Sequence, residues 1–287
     1  MRGCPGLLHL PVFYATIYKY YREQYRDSAR VRRGEDARRE CTEGYEVPEK
    51  IDILGVQVDP VTMQQAVRQV ETYMDERSGV MVATANAEMI MRATHDGELL
   101  HILNDCALVV PDGAGTVWAA HHLGHEMPER VAGYDLAQEL MRRAPEKKRR
   151  IFFFGSAPGV AELAKKKAET LYPGIEIVGT RNGFFAEKDE PEIVKEIQAA
   201  KPDLLLVALG VPKQEKWLYK YRRELGVPVS IGVGGTLDVM AGVMKRAPRW
   251  MQKAKLEWLF RGMLQPKRAG RLMALPKFVL KVHRAKR

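Results

Sequence analysis

At 287 residues and 46% hydrophobic, the chain is long enough for one substantial core or two small ones. Its three cysteines, Cys4, Cys41 and Cys106, are odd in number and lack paired spacing. That excludes a disulfide framework or a zinc ribbon and points to a reducing cytosol. The net charge of +10 is unevenly placed, because residues 245–287 hold 14 Lys or Arg against one acid, Glu257. A tail of +13 on a body of −3 asks for a polyanionic partner: nucleic acid, anionic lipid or phosphate.

Residues 1–49 read as a leader without a fold, since Arg30–Glu40 is a mixed-charge run with no sustained period. The alternative for this segment is a peripheral anchor built on the aromatic run Phe13 to Tyr21. Its opening is not a signal sequence, because His9 and Pro11 interrupt the apolar run and no small-residue cleavage site follows. No stretch approaches the roughly 20 apolar residues that span a bilayer.

From Ile51 onward, short apolar runs alternate with longer helical patterns. Strands are expected at Ile53–Val58, Val80–Thr84, Leu108–Pro111, Ile151–Gly155, Ile175–Gly179, Leu204–Leu209 and Val229–Val233. Helices are expected at Thr62–Glu76, Ala87–Asn104, Tyr134–Arg143, Gly159–Leu171, Glu190–Ala200, Pro212–Leu225 and Thr236–Met244. This alternation predicts an α/β fold with a largely parallel sheet and helices on both faces. The continuous run Leu204 to Leu209 fits a strand buried on both sides. The core is assigned to residues 50–244, and residues 245–287 form a basic C-terminal, membrane-facing appendage.

Many strands run into glycine-rich or polar turns: Asn86, Asp112-Gly113, Gly155 to Gly159, Gly210 to Gln214 and Gly232 to Thr236. Ligands of open α/β sheets bind beyond such strand ends, where helix N-termini favour anions, so a phosphate-bearing ligand is expected. Gly155, Gly210, Gly234 and Gly235 are the candidate phosphate-loop glycines, although each taken alone could be a plain turn. The spacing around Gly155 is not a dinucleotide fingerprint, and no Walker A motif occurs. His121 and His125 would share a helix face but have no third ligand, so no metal site is assigned. An Asp-x-Asp motif is also absent. Asp112, at the end of an apolar strand, suits either a general base or the cap of the next helix, and position alone does not choose.

In the tail, Arg249–Met263 can gather Trp250, Met251, Ala254, Trp258, Leu259 and Met263 on one face with Lys and Arg elsewhere. That pattern fits a helix lying in a membrane interface, or one packed on the body. Lys267, Arg268 and Arg271 form a cluster able to grip phosphates. No stacking platform or DNA-binding fold is visible, so nucleic acid is not assigned as a partner.

A series of ordered segments resembles the WecG/TagA/CpsF glycosyltransferases: Ala83 to Glu88 with Pro111-Asp112-Gly113, Arg130 to Leu136, Gly210 to Glu215, Gly232 to Gly235, Lys245 to Pro248, and Glu257 to Arg261 with Gln265 to Arg268. The resemblance runs from about Ile51 to Leu272. It implies a Rossmann-like core and inverting, metal-independent transfer with no cofactor. N-acetylmannosamine would pass from UDP to the 4-hydroxyl of N-acetylglucosaminyl-diphospho-undecaprenol. It implies Asp112 as catalytic base, with Thr84, Asn86, Arg130 and Gln214 in the substrate pocket. Arg261, Arg268 and Arg271 would lie on an appendage that closes over the site at the membrane.

The implied partners are a UDP-sugar donor, a lipid-linked diphosphate acceptor and an anionic membrane surface on the inner face of the cell membrane. Both a homo-oligomer and a membrane-bound monomer stay open. Another donor, UDP-N-acetylmannosaminuronate or UDP-glucose, is the alternative within the fold. A non-catalytic, membrane-tethered nucleotide binder is the alternative outside it.

Overall fold

A short hairpin opens the folded body. Strands β1 (Ile51–Ile53) and β2 (Val56–Val58) pair antiparallel, and Leu54 and Gly55, both at positive φ, make the turn. The single expected strand Ile53–Val58 is therefore a hairpin in its first part. The apolar run continues through the turn, which hides the reversal. These coordinates come from a computed structural model that describes residues 49–248 and 274–286, together with Met251 and Phe260. Residues 1–48 of the expected leader 1–49, the bulk of the helix 249–263 and the arginines at 261, 268 and 271 lie outside the described residues.

The main sheet has six parallel strands in the order β4-β3-β8-β7-β5-β6. They are β3 (Val80–Ala85), β4 (Leu108–Pro111), β5 (Arg150–Gly155), β6 (Glu176–Arg181), β7 (Leu204–Ala208) and β8 (Val229–Gly232). Central strands are buried on both faces: Phe152, Phe153 and Phe154 are 0–1% exposed, and all five residues of β7 are buried. This is why they read as unbroken apolar runs rather than as alternation.

Helices cover both faces. On one face α1 (Met63–Asp75), α5 (Gly133–Arg143), α6 (Val160–Leu171) and α9 (Thr236–Ala241) share a core with Val82, Val110, Phe153, Leu206 and Ile231 of the sheet. Helix α1 begins at a capping box, with the Thr62 hydroxyl accepting from Gln65 N and the Gln65 side chain accepting from Thr62 N.

The opposite face carries α2 (Ala87–Ala93), α3 (Gly97–Asn104), α7 (Glu190–Ala200) and α8 (Lys213–Leu225). There Phe154 meets Trp217 of α8 at a ring-centroid distance of 4.8 Å. The expected helix 87–104 is two helices, because Asp96 caps a fresh start through Leu99 N. The helix from Thr236 stops at Ala241 rather than Met244, ended by Gly242 in the left-handed region.

Helix α4 (Ala114–His122), given no bounds in the sequence although Asp112 was weighed as its cap, follows β4, and its end at His122 removes the shared helix face of His121 and His125. The last described helix, α10 (Ala274–Ala285), packs against α2 and α4 with Phe278 and Val282 fully buried. Burying two such side chains stabilises the docking by roughly 1.5–3 kcal/mol each.

Candidate active site at the carboxyl edge of the sheet

All five loop groups expected to meet a ligand stand on one edge of the sheet, because every strand of it is parallel. The strand order then spaces them. Asp112 follows β4, and Gln214 follows β7, three strand spacings or about 14 Å away.

Asp112 is held by its backbone: its N–H donates to Ala85 O and Val110 O, both at 3.0 Å, and its carbonyl accepts from Thr116 Oγ1 at 3.2 Å. The N-cap of α4 is Gly113, at φ 90°, with no side-chain capping bond. Asp112 therefore stands one residue outside the helix, at the mouth of the edge. Asn86 caps α2 by accepting from Met89 N at 3.0 Å, and its Cβ lies beside Gly113, where an added methyl would be 3.8 Å away. The loop carrying Arg130 is tied to the same strand end by Val131 N donating to Pro111 O at 3.0 Å. Arg130 faces Asp135 at 4.0 Å, and Asp135 also pairs with Arg246 at 2.8 Å. Asp112, Asn86 and Arg130 thus converge at the ends of β3 and β4.

Thr84 joins this group to the next one. It is 6% exposed, and its hydroxyl donates to Gly232 O at 3.1 Å, tying β3 to β8. Gly133 leans on it so closely that an added methyl would stand 2.9 Å from Thr84 Cγ2.

Gln214 makes the second group. Its Oε1 accepts from Gly210 N at 3.0 Å and Gly234 N at 3.1 Å, and its Nε2 donates to Glu215 Oε1 at 2.7 Å. Two of the glycines expected to offer N–H groups to phosphate therefore direct them at a side chain of the protein. Their task in this structure is loop shape, and both sit at positive φ, 79° and 53°. Gly235 is the N-cap of α9.

Gly155 belongs to a third group. At φ 129° it brings the chain so close to β7 that a methyl group there would lie 2.4 Å from Ala208 O. The next turn is fastened by Ser156 N to Ala208 O at 2.9 Å and Gly183 N to Ser156 O at 2.8 Å. Beside it opens a cavity of about 550 Å³ lined by Gly183, Phe184, Phe185, Ala186, Asp189 and Lys213. Lys213 Nζ stands 3.9 Å over the Phe185 ring, and Phe184 is 74% exposed. Sequence reasoning passed over this rim. Its one signal was two consecutive phenylalanines just past a strand end, Gly183-Phe184-Phe185.

Glu215 was also passed over. It is 2% exposed on the first turn of α8, and burial pushes its carboxyl up to about 7 while the Gln214 amide works the other way. Among the described residues no group of three or more His, Cys, Asp or Glu side chains gathers as a metal site would require. None of the described helices is long and apolar enough to cross a membrane.

Residues 51–287 match the Glycosyl transferase WecG/TagA/CpsF family. The chain belongs to that family. It is a glycosyltransferase with the α/β fold just described. Among its relatives is the N-acetylglucosaminyldiphosphoundecaprenol N-acetyl-beta-D-mannosaminyltransferase of Staphylococcus aureus strain MRSA252, 36% identical over 240 residues. That alignment covers 83% of this chain and 94% of the relative. The proteins of the same description from strains NCTC 8325 / PS 47 and COL match over the same shares at 36% identity.

Proposed function

We propose that this glycosyltransferase moves N-acetylmannosamine from UDP-N-acetylmannosamine to the 4-hydroxyl of N-acetylglucosaminyl-diphospho-undecaprenol, with inversion and without a metal ion. The observation that carries the reading is the 36% identity to transferases whose description contains this sugar and this acceptor, over 94% of their length. The geometry supports it in three ways. A carboxylate, Asp112, stands at the rigid end of a strand beside Asn86 and the Arg130 loop, as a base for a hydroxyl proton should. Shaped glycine turns lie two to four strands away, on the side where a diphosphate would extend. The aromatic-rimmed cavity beyond them has the position for the nucleoside end of the donor.

In this mechanism the Asp112 carboxylate takes the proton of the acceptor hydroxyl while its oxygen attacks the anomeric carbon from the face opposite UDP. The C–O bond to the diphosphate breaks, and UDP leaves with the electron pair. Positively charged and dipolar groups must meet that charge. We assign this to the helix N-termini beyond the strand ends and to Arg261, Arg268 and Arg271. A lipid-linked acceptor and the basic C-terminal sequence favour work at the inner face of the cell membrane, with the chain peripheral to it.

The deciding experiment offers UDP-N-acetylmannosamine, UDP-N-acetylmannosaminuronate and UDP-glucose to a short-chain lipid-diphosphate N-acetylglucosamine acceptor, with and without EDTA. Products are identified by mass spectrometry. Transfer from the first donor alone, unchanged by EDTA, is expected. Transfer from another donor in its place, or loss of activity with EDTA, overturns the corresponding part of the reading.

A further inference from the structure

The ends of β3, β8 and β7 are held together by side chains and not by strand pairing alone. Thr84 Oγ1 donates to Gly232 O, and the Gln214 amide packs over the same glycine. Gln214 Oε1 then accepts from both Gly210 N and Gly234 N, one glycine from the turn after each of the other two strands. An amide can do this only with its oxygen facing the glycines. Reversed, it would aim an NH₂ group at two N–H donors and leave all of them unpaired in a buried place. What fixes the orientation is Glu215, because Nε2 donates to Glu215 Oε1 at 2.7 Å. Both side chains are almost fully buried, at 1% and 2% exposure, so no solvent competes for the amide. The fit leaves no slack: a methyl at Gly232 would stand 2.6 Å from Gln214 Nε2 and 3.0 Å from Glu215 Oε1.

We infer that Glu215 is a positioning residue for the transfer reaction, orienting the Gln214 amide so that the two glycine turns hold the spacing the donor diphosphate needs. This rests on the reading of those turns as the donor's side of the site. Glu215 is 2% exposed. It acts through Gln214 by supplying an acceptor oxygen at one point in the core. Its other oxygen, Oε2, is buried without a hydrogen-bond partner.

The test compares Glu215→Gln, which keeps an acceptor oxygen at that point, with Glu215→Leu, which removes it at similar volume. Hydrogen exchange of peptides spanning residues 208–215 and 231–236 is measured on the free protein. Donor and acceptor KM and kcat are measured in the transfer assay. Glu215→Leu should speed exchange at the Gly210 and Gly234 amides at least tenfold. It should raise donor KM about tenfold and leave acceptor KM within twofold. Glu215→Gln should stay within about threefold of the parent in each quantity.

Gly232→Ala crowds the same amide and its Glu215 partner oxygen, and should reproduce the rise in donor KM. It replaces Glu215→Leu if that variant does not fold. Parental exchange and parental donor KM in Glu215→Leu overturn the inference. So does a Glu215→Gln variant as impaired as Glu215→Leu, or a loss confined to kcat in step with a lost folded fraction. If the parent transfers nothing from any UDP-sugar, the donor reading fails, and the exchange measurements still decide whether Glu215 orients the clasp.

Discussion

The ring of Phe278 on α10 lies over Gly115, the second residue of α4 and three residues past Asp112. A methyl group built on Gly115 would stand 3.8 Å from Phe278 Cε1 and 3.1 Å from the Ala87 methyl of α2. The absent side chain thus lets α10 settle on the first turns of the two helices that leave Asp112 and Asn86. Phe278→Ala should open a void whose typical cost, about 3–5 kcal/mol, rivals the whole docking energy of a helix that buries two side chains. The expected result is release of α10. Protease should cut at residues 274–286, transfer should fall, and the melting temperature of the α/β body should change little. Parental protease resistance with parental activity would separate α10 from the site.

Asp112 supplies the next prediction. Asp112→Asn keeps the shape and removes the basic lone pair. Loss of a positioned base typically lowers turnover by about 10²–10⁴-fold. Donor binding, followed by calorimetry with UDP, should stay within about threefold, because the strand-end turns are untouched. Full activity in Asp112→Asn would remove the carboxylate from the chemistry.

How far sequence alone could reach follows from which contacts are local. The β and α alternation was visible because parallel strands such as Leu204 to Ala208 are buried on both sides and helices such as α1 carry a stripe of buried residues at Ala66, Val67, Val70 and Met74. The bounds of helix α4 were hidden for the same physical reason in reverse. Thr116, Val117, Trp118, Ala119 and Ala120 are all buried, so the helix shows no polar face and no 3.6-residue period. The candidate residues Asn86, Asp112 and Gln214 were legible as turn residues past strand ends, whereas Thr84, inside β3, and Arg130, in the loop before α5, came only from the family resemblance. The clasp was not. Gln214 meets Gly234 across 20 positions and Thr84 meets Gly232 across 148, and no spacing along the chain encodes either contact.

Glu215 also carries a pH signature. Burial raises its carboxyl to about 7 from an ordinary 4.5, so the folded state holds a proton that the unfolded state gives up. Its neutral form is no burden below pH 4.5, and the folded state then loses stability progressively as pH rises to about 7. The full loss is on the order of 3 kcal/mol at 1.36 kcal/mol per unit. Glu215→Gln cannot ionise. Relative to the parent it should therefore gain stability between pH 5 and pH 8, read as a rising denaturant midpoint at unchanged slope. An equal midpoint difference at both pH values would mean that Glu215 does not titrate in the core.

A second titration bears on α10. His122 Nε2 and His283 Nδ1 lie 3.1 Å apart, with the His122 ring stacked at 5.0 Å on buried Trp118. Two ring nitrogens at that distance share one hydrogen, one donating and the other accepting, so the contact needs at least one neutral ring. Burial first, then Lys286 and His283, holds His122 below its ordinary 6.5. A histidine depressed in the fold stabilises above the unfolded value, and that contribution is lost as pH falls from 6.5 through the lower folded value. Exchange protection of residues 274–286, corrected for intrinsic rates, should therefore fall between pH 7.5 and pH 5.5. In His122→Gln, which cannot titrate, it should hold steady over the same interval. Equal acid sensitivity in both proteins would place the titrating group elsewhere on the α10 interface.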